Sequence, residues 1–418
     1  MGQKNLFFAH SGGVTSVVNT IAAAVLDAAQ EQAQIGRVYA GKNGIIGAIK
    51  EELIDVYQES ETQRQWLYHT PASAFGSCRY KLDPQNTQVF SRILEVFKAH
   101  NIGYFLYNGG NDSQDTTHKI WQMSTQLGYP LRCIGIPKTV DNDLAHTDVC
   151  PGFGSVAKYV AISTKEASLD VASMAETSTK VFILEVMGRH AGWITAAAGL
   201  AATNPAEGPH ILLFPEVAFD KTAFISRVQT CIKQYGHCVV VASEGLQDSQ
   251  GHFLSQAGTK DAFGHQQLGG VAPYLAQLTT ESLGVKNHWA VADYLQRSAR
   301  HISAYHDVEQ AKALGKSAVQ AVLDGKSGIM MTIDRLQDTP YKWQIGEAPL
   351  ASVANMEKKL PAHFITEDKM HITEAARRYL SPLIQGESYP PYLENGLPCY
   401  ATLRNVLVDK KLPTSAVV

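Results

Sequence analysis

The sequence predicts an α/β chain with mostly parallel sheets, and three observations carry that reading. Short apolar runs alternate with stretches of helical composition, the order produced when a crossover helix returns the chain to lay each strand beside the last. The polar and glycine-rich clusters fall where those apolar runs end, and ligands of open parallel sheets bind beyond the carboxyl ends of the strands. At 418 residues, and about 150 residues per domain, two to three domains are expected.

In chain order, Asn5 to Ala9 reads as a buried strand, Ser11-Gly12-Gly13 as a turn, and Val17 to Ala33 as a helix whose Ala, Val and Leu suit a buried face. The unit recurs with a strand at Gly103 to Tyr107, a turn at Gly109-Gly110 and a helix from about Asp115 to Leu127. A third strand, Arg132 to Ile136, ends in Pro137-Lys138-Thr139. Helix from about Ser155 to Ala175, strand Lys180 to Val186, a turn at Met187-Gly188-Arg189 and helix Trp193 to Ala202 continue the pattern. Strands His210 to Phe214 and Cys238 to Ala242 follow, the second ending at Ser243-Glu244-Gly245. Gly245 to Gly264, and the stretch around Asp334 to Pro349, read as surface excursions. The tail from Pro390, rich in Pro, Tyr and Gly, is expected to pack over a surface rather than form a further core unit.

Composition excludes several function classes. Lys and Arg number 36 against 39 Asp and Glu, a net charge of −3, without the basic excess of nucleic-acid binders. With 45% hydrophobic and 18% charged residues the chain carries no disorder signature. The cysteines lie far apart with no Cys-x-x-Cys pair, which argues against a disulfide framework or a zinc site. The histidines do not cluster either, so any metal is expected to be a hard cation held by carboxylates and phosphates, which points to magnesium. No stretch reaches membrane-spanning length and the start lacks a signal-like apolar run, so no membrane partner and a cytoplasmic location are expected.

Several strand-end clusters could carry chemistry. Gly12-Gly13 lets the backbone approach a phosphate at a helix N-terminus, although a purely structural turn explains such a pair equally well. Gly109-Gly110-Asn111-Asp112-Ser113 is a second candidate phosphate or metal loop. Pro137-Lys138-Thr139-Val140-Asp141-Asn142-Asp143-Leu144 gathers one cation and two carboxylates behind a buried strand. One carboxylate to take a proton from a hydroxyl, one to hold magnesium and a lysine to neutralise developing phosphate charge are the minimum kit for phosphoryl transfer. The alternative is an Asx-rich turn with a solvated lysine. Met187-Gly188-Arg189-His190 and Ser243-Glu244-Gly245 taken singly read as helix starts, and Tyr294-Leu295-Gln296-Arg297 as an exposed helical face.

Taken together and in this order, these motifs resemble the phosphofructokinase family, whose pattern runs SGG, GGDGS or GGDDS, P(G/K)TIDND, MGR, a Glu at a strand end, and HIQR. The match spans about Gly12 to Gly325, and five ordered motifs at agreeing spacing are far harder to obtain by chance than one. The resemblance implies two α/β domains with the active site in the cleft between them. Residues 1–152 with about 296–364 would bind the phosphoryl donor, and 153–295 with about 365–418 the sugar phosphate.

Two positions bear on the donor. ATP-dependent members have Gly after the metal-side Asp and read Pro-Gly-Thr later, whereas this chain has Asp112 and Lys138. Asp112 would put negative charge and bulk where the α-phosphate of ATP must lie, and Lys138 can neutralise the leaving phosphate of pyrophosphate. The pair therefore resembles the pyrophosphate-dependent branch. That implies reversible phosphoryl transfer from pyrophosphate to the 1-hydroxyl of fructose 6-phosphate, a step of glycolysis and gluconeogenesis. An ATP-dependent 6-phosphofructokinase stands as the alternative.

Carried over by the motifs, Asp141 matches the general base and Asp143 the carboxylate assisting the metal and the transferring group. Gly12, Gly13, Arg79, Asn111, Asp112 and Lys138 match donor contacts. Thr139, Val140, Met187, Gly188 and Arg189 match sugar-phosphate or transition-state contacts, Arg189 with a bidentate fork. Glu244 would accept from sugar hydroxyls, and Arg297, with Tyr294 where many members have His, would grip the 6-phosphate. Asn111 stands where the family usually has a metal-binding Asp and is expected to offer its amide oxygen to magnesium. Lys180 and His288 match two basic residues supplied by a neighbouring subunit, both departures from arginine, which implies a homo-oligomer, dimer or tetramer. Ala23 and Asp27 replace two effector-binding arginines, so no nucleotide regulation is expected there. The substitutions at Asn111, Lys180 and His288 also motivate a second alternative, a catalytically silent sugar-phosphate-binding subunit.

Overall fold

The computed structural model describes residues 2–254, 256–260, 266–354 and 356–414. Its strands are β1 (Lys4–His10), β2 (Ile35–Gly41), β3 (Leu53–Asp55), β4 (Ile102–Gly109), β5 (Arg132–Pro137), β6 (Val181–Val186), β7 (Ile211–Leu213), β8 (Cys238–Ser243), β9 (Gln256–Lys260), β10 (Gln266–Leu268), β11 (Asn287–Val291), β12 (Ile329–Gln337) and β13 (Lys342–Pro349). Among the described residues they form a seven-stranded sheet in the order β13-β12-β5-β4-β1-β2-β3, a four-stranded sheet β11-β6-β8-β7 and a β9-β10 pair. The four-stranded sheet is wholly parallel. In the larger one only the edges, β3 on β2 and β13 on β12, are antiparallel.

The central strands are largely apolar because helices cover both faces: every residue of β4 and of β8 is buried, with the polar Asn108 and Ser243 at their carboxyl ends. The helix Val18–Gln30 packs on Tyr305–Leu323 so closely that a Cβ at Gly315 would come within 2.7 Å of the Ile21 carbonyl. One hydrophobic cluster runs from Leu6 and Ile134 of the first sheet to Leu184 and Val241 of the second, so the two sheets share a core. All six cysteines are free, and among the described residues no helix is long and apolar enough to cross a membrane.

The strand-and-helix alternation matches the sequence reading, with differences that have physical causes. The helix expected from about Asp115 begins at Asn111, because Gly110 is extended and its carbonyl accepts from the amides of Ser113 and Gln114 at 3.0 Å. The stretch 334–349 is not a surface excursion. It completes the β12–β13 hairpin at a sheet edge, where β13 alternates between exposed and part-buried positions and its polar residues hid the strand. Of Gly245 to Gly264, residues 255 and 261–264 lie outside the described residues, and β9 occupies part of the rest. The tail does pack over a surface: Val406 O accepts from Asp55 N at 3.0 Å and Val408 N donates to Leu53 O at 2.9 Å, alongside β3.

Candidate active site

The pocket forms where the carboxyl ends of β1, β4, β5, β6 and β8 converge, a cavity of about 310 Å³. After β1, Gly12 adopts φ +72°, a left-handed conformation glycine takes without strain. The turn is fixed by Ser11 N to Asn108 O and Gly12 N to Cys78 O, both 2.9 Å, and by Ser77 Oγ to Gly12 O at 2.7 Å. Those bonds bring the Ser77–Arg79 segment onto the glycine turn.

After β4, Asn111 and Asp112 occupy the first turn of the Asn111–Gln126 helix. A carboxylate there is favoured by the unpaired amides and the helix dipole, and Lys81 lies 4.0 Å from Asp112. The amide oxygen of Asn111, a residue lining the pocket, is buried with no hydrogen-bond partner among the described residues.

After β5, Lys138 is buried and its ammonium donates to the carbonyls of Ser11, at 2.8 Å, and Gly13. Burial, then the charges of Arg297 and Arg79, bring its pKa down to about 7. Asn142, in left-handed conformation at φ 54°, accepts from Cys150 N at 3.0 Å and so sets Asp141 and Asp143 on either side of it. Burial and the neighbouring carboxylates Asp143 and Glu244 push the Asp141 carboxyl up to about 8, against Arg189 and Lys138. Burial likewise pushes Asp143 up, offset by hydrogen bonds including one from Thr139. A carboxylate so destabilised is a strong proton acceptor.

The turns after β6 and β8 touch backbone to backbone. Glu244 N donates to Val186 O at 2.9 Å and Ser243 Oγ to Gly188 O at 2.5 Å, and a Cβ at Gly245 would lie 2.0 Å from the Arg189 carbonyl. Only glycine permits that approach, which presents Arg189 and Glu244 to one pocket. Burial raises the Glu244 pKa as well.

Of the residues expected from the sequence, Gly12, Gly13, Arg79, Asn111, Asp112, Lys138, Thr139, Val140, Asp141, Asp143, Met187, Arg189, Glu244 and Arg297 all line this cavity. Gly188 lies behind it. Tyr294 is 63% exposed, with its ring 3.8 Å from the Arg297 guanidinium carbon. Lys180 precedes β6 at the opposite end of the strand and donates to Ala175 O and Glu176 O, and His288 pairs with Phe182 in the β11–β6 register. Neither reaches the pocket of its own chain. The sequence reading quoted His190 in its strand-end cluster without giving it a role and missed Glu357, the two being joined at 3.0 Å in the pocket. His190 directly follows the Met-Gly-Arg turn and could have been assigned to the site; Glu357 carries no local motif.

Four cations facing buried carboxylates suit ligands with several phosphoryl groups and a hydroxyl that must lose a proton. Among the described residues no three His, Cys, Asp or Glu side chains are grouped to hold a metal. The oxygen donors Asn111 and Asp143, with the orphaned amide oxygen of the former, fit a hard cation that draws its other ligands from water and substrate phosphates.

A family model described as Phosphofructokinase matches residues 5–322. The protein named pyrophosphate--fructose 6-phosphate 1-phosphotransferase in Methylococcus capsulatus is 56% identical over 418 residues, covering 99% of each chain. Its counterpart of the same name in Halomonas elongata is 57% identical over 417 residues, again 99% of each. The crystal structure of a pyrophosphate-dependent phosphofructokinase from Marinobacter aquaeolei superposes with a TM-score of 0.91 at 57% identity, covering 98% of this chain and 99% of that one.

Proposed function

The chain belongs to the phosphofructokinase family, and on that premise we propose that it transfers a phosphoryl group reversibly between pyrophosphate and the 1-hydroxyl of fructose 6-phosphate, yielding fructose 1,6-bisphosphate and phosphate. The names of the full-length relatives support this donor and acceptor. The observation that carries the donor choice is Lys138, whose buried ammonium lies over the glycine turn with Asp112 nearby on the wall of the same cavity. A two-phosphate anion meets a cation there. A nucleotide would meet the Asp112 carboxylate, and like-charge repulsion in a partly dry cleft far exceeds its value in water.

In this reading Asp141 accepts the proton of the attacking hydroxyl, helped by its raised pKa. Lys138 and Arg79 neutralise the departing phosphate, Arg189 follows the transferring group, Arg297 grips the 6-phosphate, and Glu244 accepts from the sugar hydroxyls. Asn111 and Asp143 would hold magnesium, which when bound shields the phosphate charge. Lys180 and His288 would act from a second copy of the chain, making the working unit a homo-oligomer. Membership of the two sheets supports dividing 1–152 with about 296–364 from 153–295, whereas the end of the expected 365–418 segment bonds to β3 of the first part through Val406 and Val408. The expected location is cytoplasmic.

Turnover of purified protein with fructose 6-phosphate, magnesium and either donor tests the reading. Formation of fructose 1,6-bisphosphate from pyrophosphate, and its reversal with phosphate, is expected; activity with ATP alone would replace it with the ATP-dependent kinase.

A further inference from the structure

Lys358 is a buried ammonium that the mechanism above does not use. Its Nζ donates to Thr147 O at 2.9 Å, Asp148 O at 2.7 Å and the side-chain oxygen of Asn142 at 3.3 Å, three acceptors for its three N–H groups. It stands 5.3 Å from the centre of the Trp193 ring. The backbone is engaged too: Lys358 N donates to Asp143 O at 2.7 Å, and Lys358 O accepts from the Trp193 indole at 3.0 Å. The preceding Glu357 pairs with Leu144 in an antiparallel bridge and holds His190 at 3.0 Å.

These two residues therefore touch both halves of the pocket, the Asp141–Asp143 loop after β5 and the Arg189–Trp193 segment after β6. An uncharged chain of similar length would fill the same space without the penalty of burying a cation, so packing alone does not account for a lysine. The loop it grips is a poor one to leave unsupported. Asn142 holds a left-handed conformation between two buried carboxylates that repel each other, and among the described residues its side-chain oxygen accepts from Cys150 N and Lys358 Nζ.

We infer that Lys358 is a positioning residue for the phosphoryl-transfer step: through Asn142 it fixes Asp141 and Asp143 relative to Arg189. The inference rests on the proposed function for its kinetic consequence. Lys358→Met should lower kcat about 10²-fold, the loss that a displacement of about 1 Å can cause, with KM for pyrophosphate and fructose 6-phosphate within about threefold of wild type. Asn142→Ala should give a similar loss, and the double variant should be no worse than about threefold below the poorer single one, because both remove the same pin. Amide hydrogen exchange across residues 139–144 should quicken in Lys358→Met, while the Val18–Gln30 helix stays as protected as in wild type.

A kcat per folded molecule within about threefold of wild type, losses that multiply, or unchanged exchange at 139–144 would each overturn the inference. If Lys358→Met does not fold, Lys358→Gln, which keeps an N–H donor toward Asn142, carries the comparison: an intermediate kcat supports the role and a wild-type kcat refutes it. The exchange measurement needs no turnover. A wild-type protein inactive with pyrophosphate would refute the proposed function and leave this arm to decide separately.

Discussion

The Lys138 ammonium turns back onto the carbonyl of Ser11 at 2.8 Å, so a cation from the end of β5 is anchored on the turn that ends β1. The turn and its charge are thereby one unit, and the residue proposed to select the donor also shapes the glycine turn.

That coupling governs donor exchange. Asp112→Gly combined with Lys138→Gly should admit measurable ATP-dependent turnover, while pyrophosphate turnover falls by about 10²- to 10³-fold, the range for losing one charge-stabilising donor. Steady-state rates with each donor check this. Wild-type pyrophosphate rates in the double variant would contradict the assignment.

Asp141→Asn removes the proposed proton acceptor and should lower kcat by about 10²- to 10⁴-fold with the KM values little changed. It should also stabilise the fold. The raised pKa of Asp141 means that above the ordinary carboxylate range the unfolded chain ionises while the folded one resists, so folding stability falls with rising pH until about 8. The advantage of the Asn variant should therefore grow across that window, as thermal melts at pH 4, 6 and 8 would reveal.

The pH profile of kcat/KM should be bell-shaped. In the proposed mechanism Asp141 acts ionised, so activity is gained as pH rises toward about 8, and Lys138 acts charged, so activity is lost as pH rises past about 7. The two apparent values belong to the interacting site as a whole. In Lys138→Met the rate is much lower and the alkaline limb should disappear; its persistence would assign that limb elsewhere.

Gly245→Ala should misplace Arg189, since its Cβ would lie 2.0 Å from the Arg189 carbonyl and both partners are backbone. A fall of about 10²-fold in kcat/KM for fructose 6-phosphate is expected, with the KM for pyrophosphate nearly unchanged, because the proposed donor contacts Gly12, Asn111 and Lys138 follow strands of the other sheet.

Lys180 and His288 can be tested by mixing chains. Strand residues advance about 3.3 Å each, which puts Lys180 roughly 20 Å from the Met187 end of β6, too far to serve its own pocket. Asp141→Asn chains combined with chains carrying Lys180→Ala and His288→Ala should regain about a quarter of wild-type activity if random dimers share sites. No recovery above the activity of the two parent proteins would refute a cross-subunit role for those two residues.

Much of this was legible in the sequence because the site residues sit beside glycines at the ends of apolar runs. The strands containing Leu6, Phe105 and Val240 are buried on both faces, so hydrophobicity alone marks them. β11 and β13 escaped because sheet edges expose polar side chains, His288 and Lys342 among them. The start of the Asn111–Gln126 helix escaped because its polar first turn carries no hydrophobic period. Glu357 and Lys358 were invisible for another reason: they reach the site from more than two hundred residues beyond the loop that they hold, and no short-range pattern encodes such a partnership.

The tail beside β3 has a practical corollary. Asp55 and Leu53 give their outward backbone groups to Val406 and Val408, and Lys411 N caps the buried Glu51. Shortening the protein before Asn405 would bare a row of unsatisfied amides and carbonyls, a template on which another molecule could stack. Loss of solubility should then precede any loss of catalytic competence.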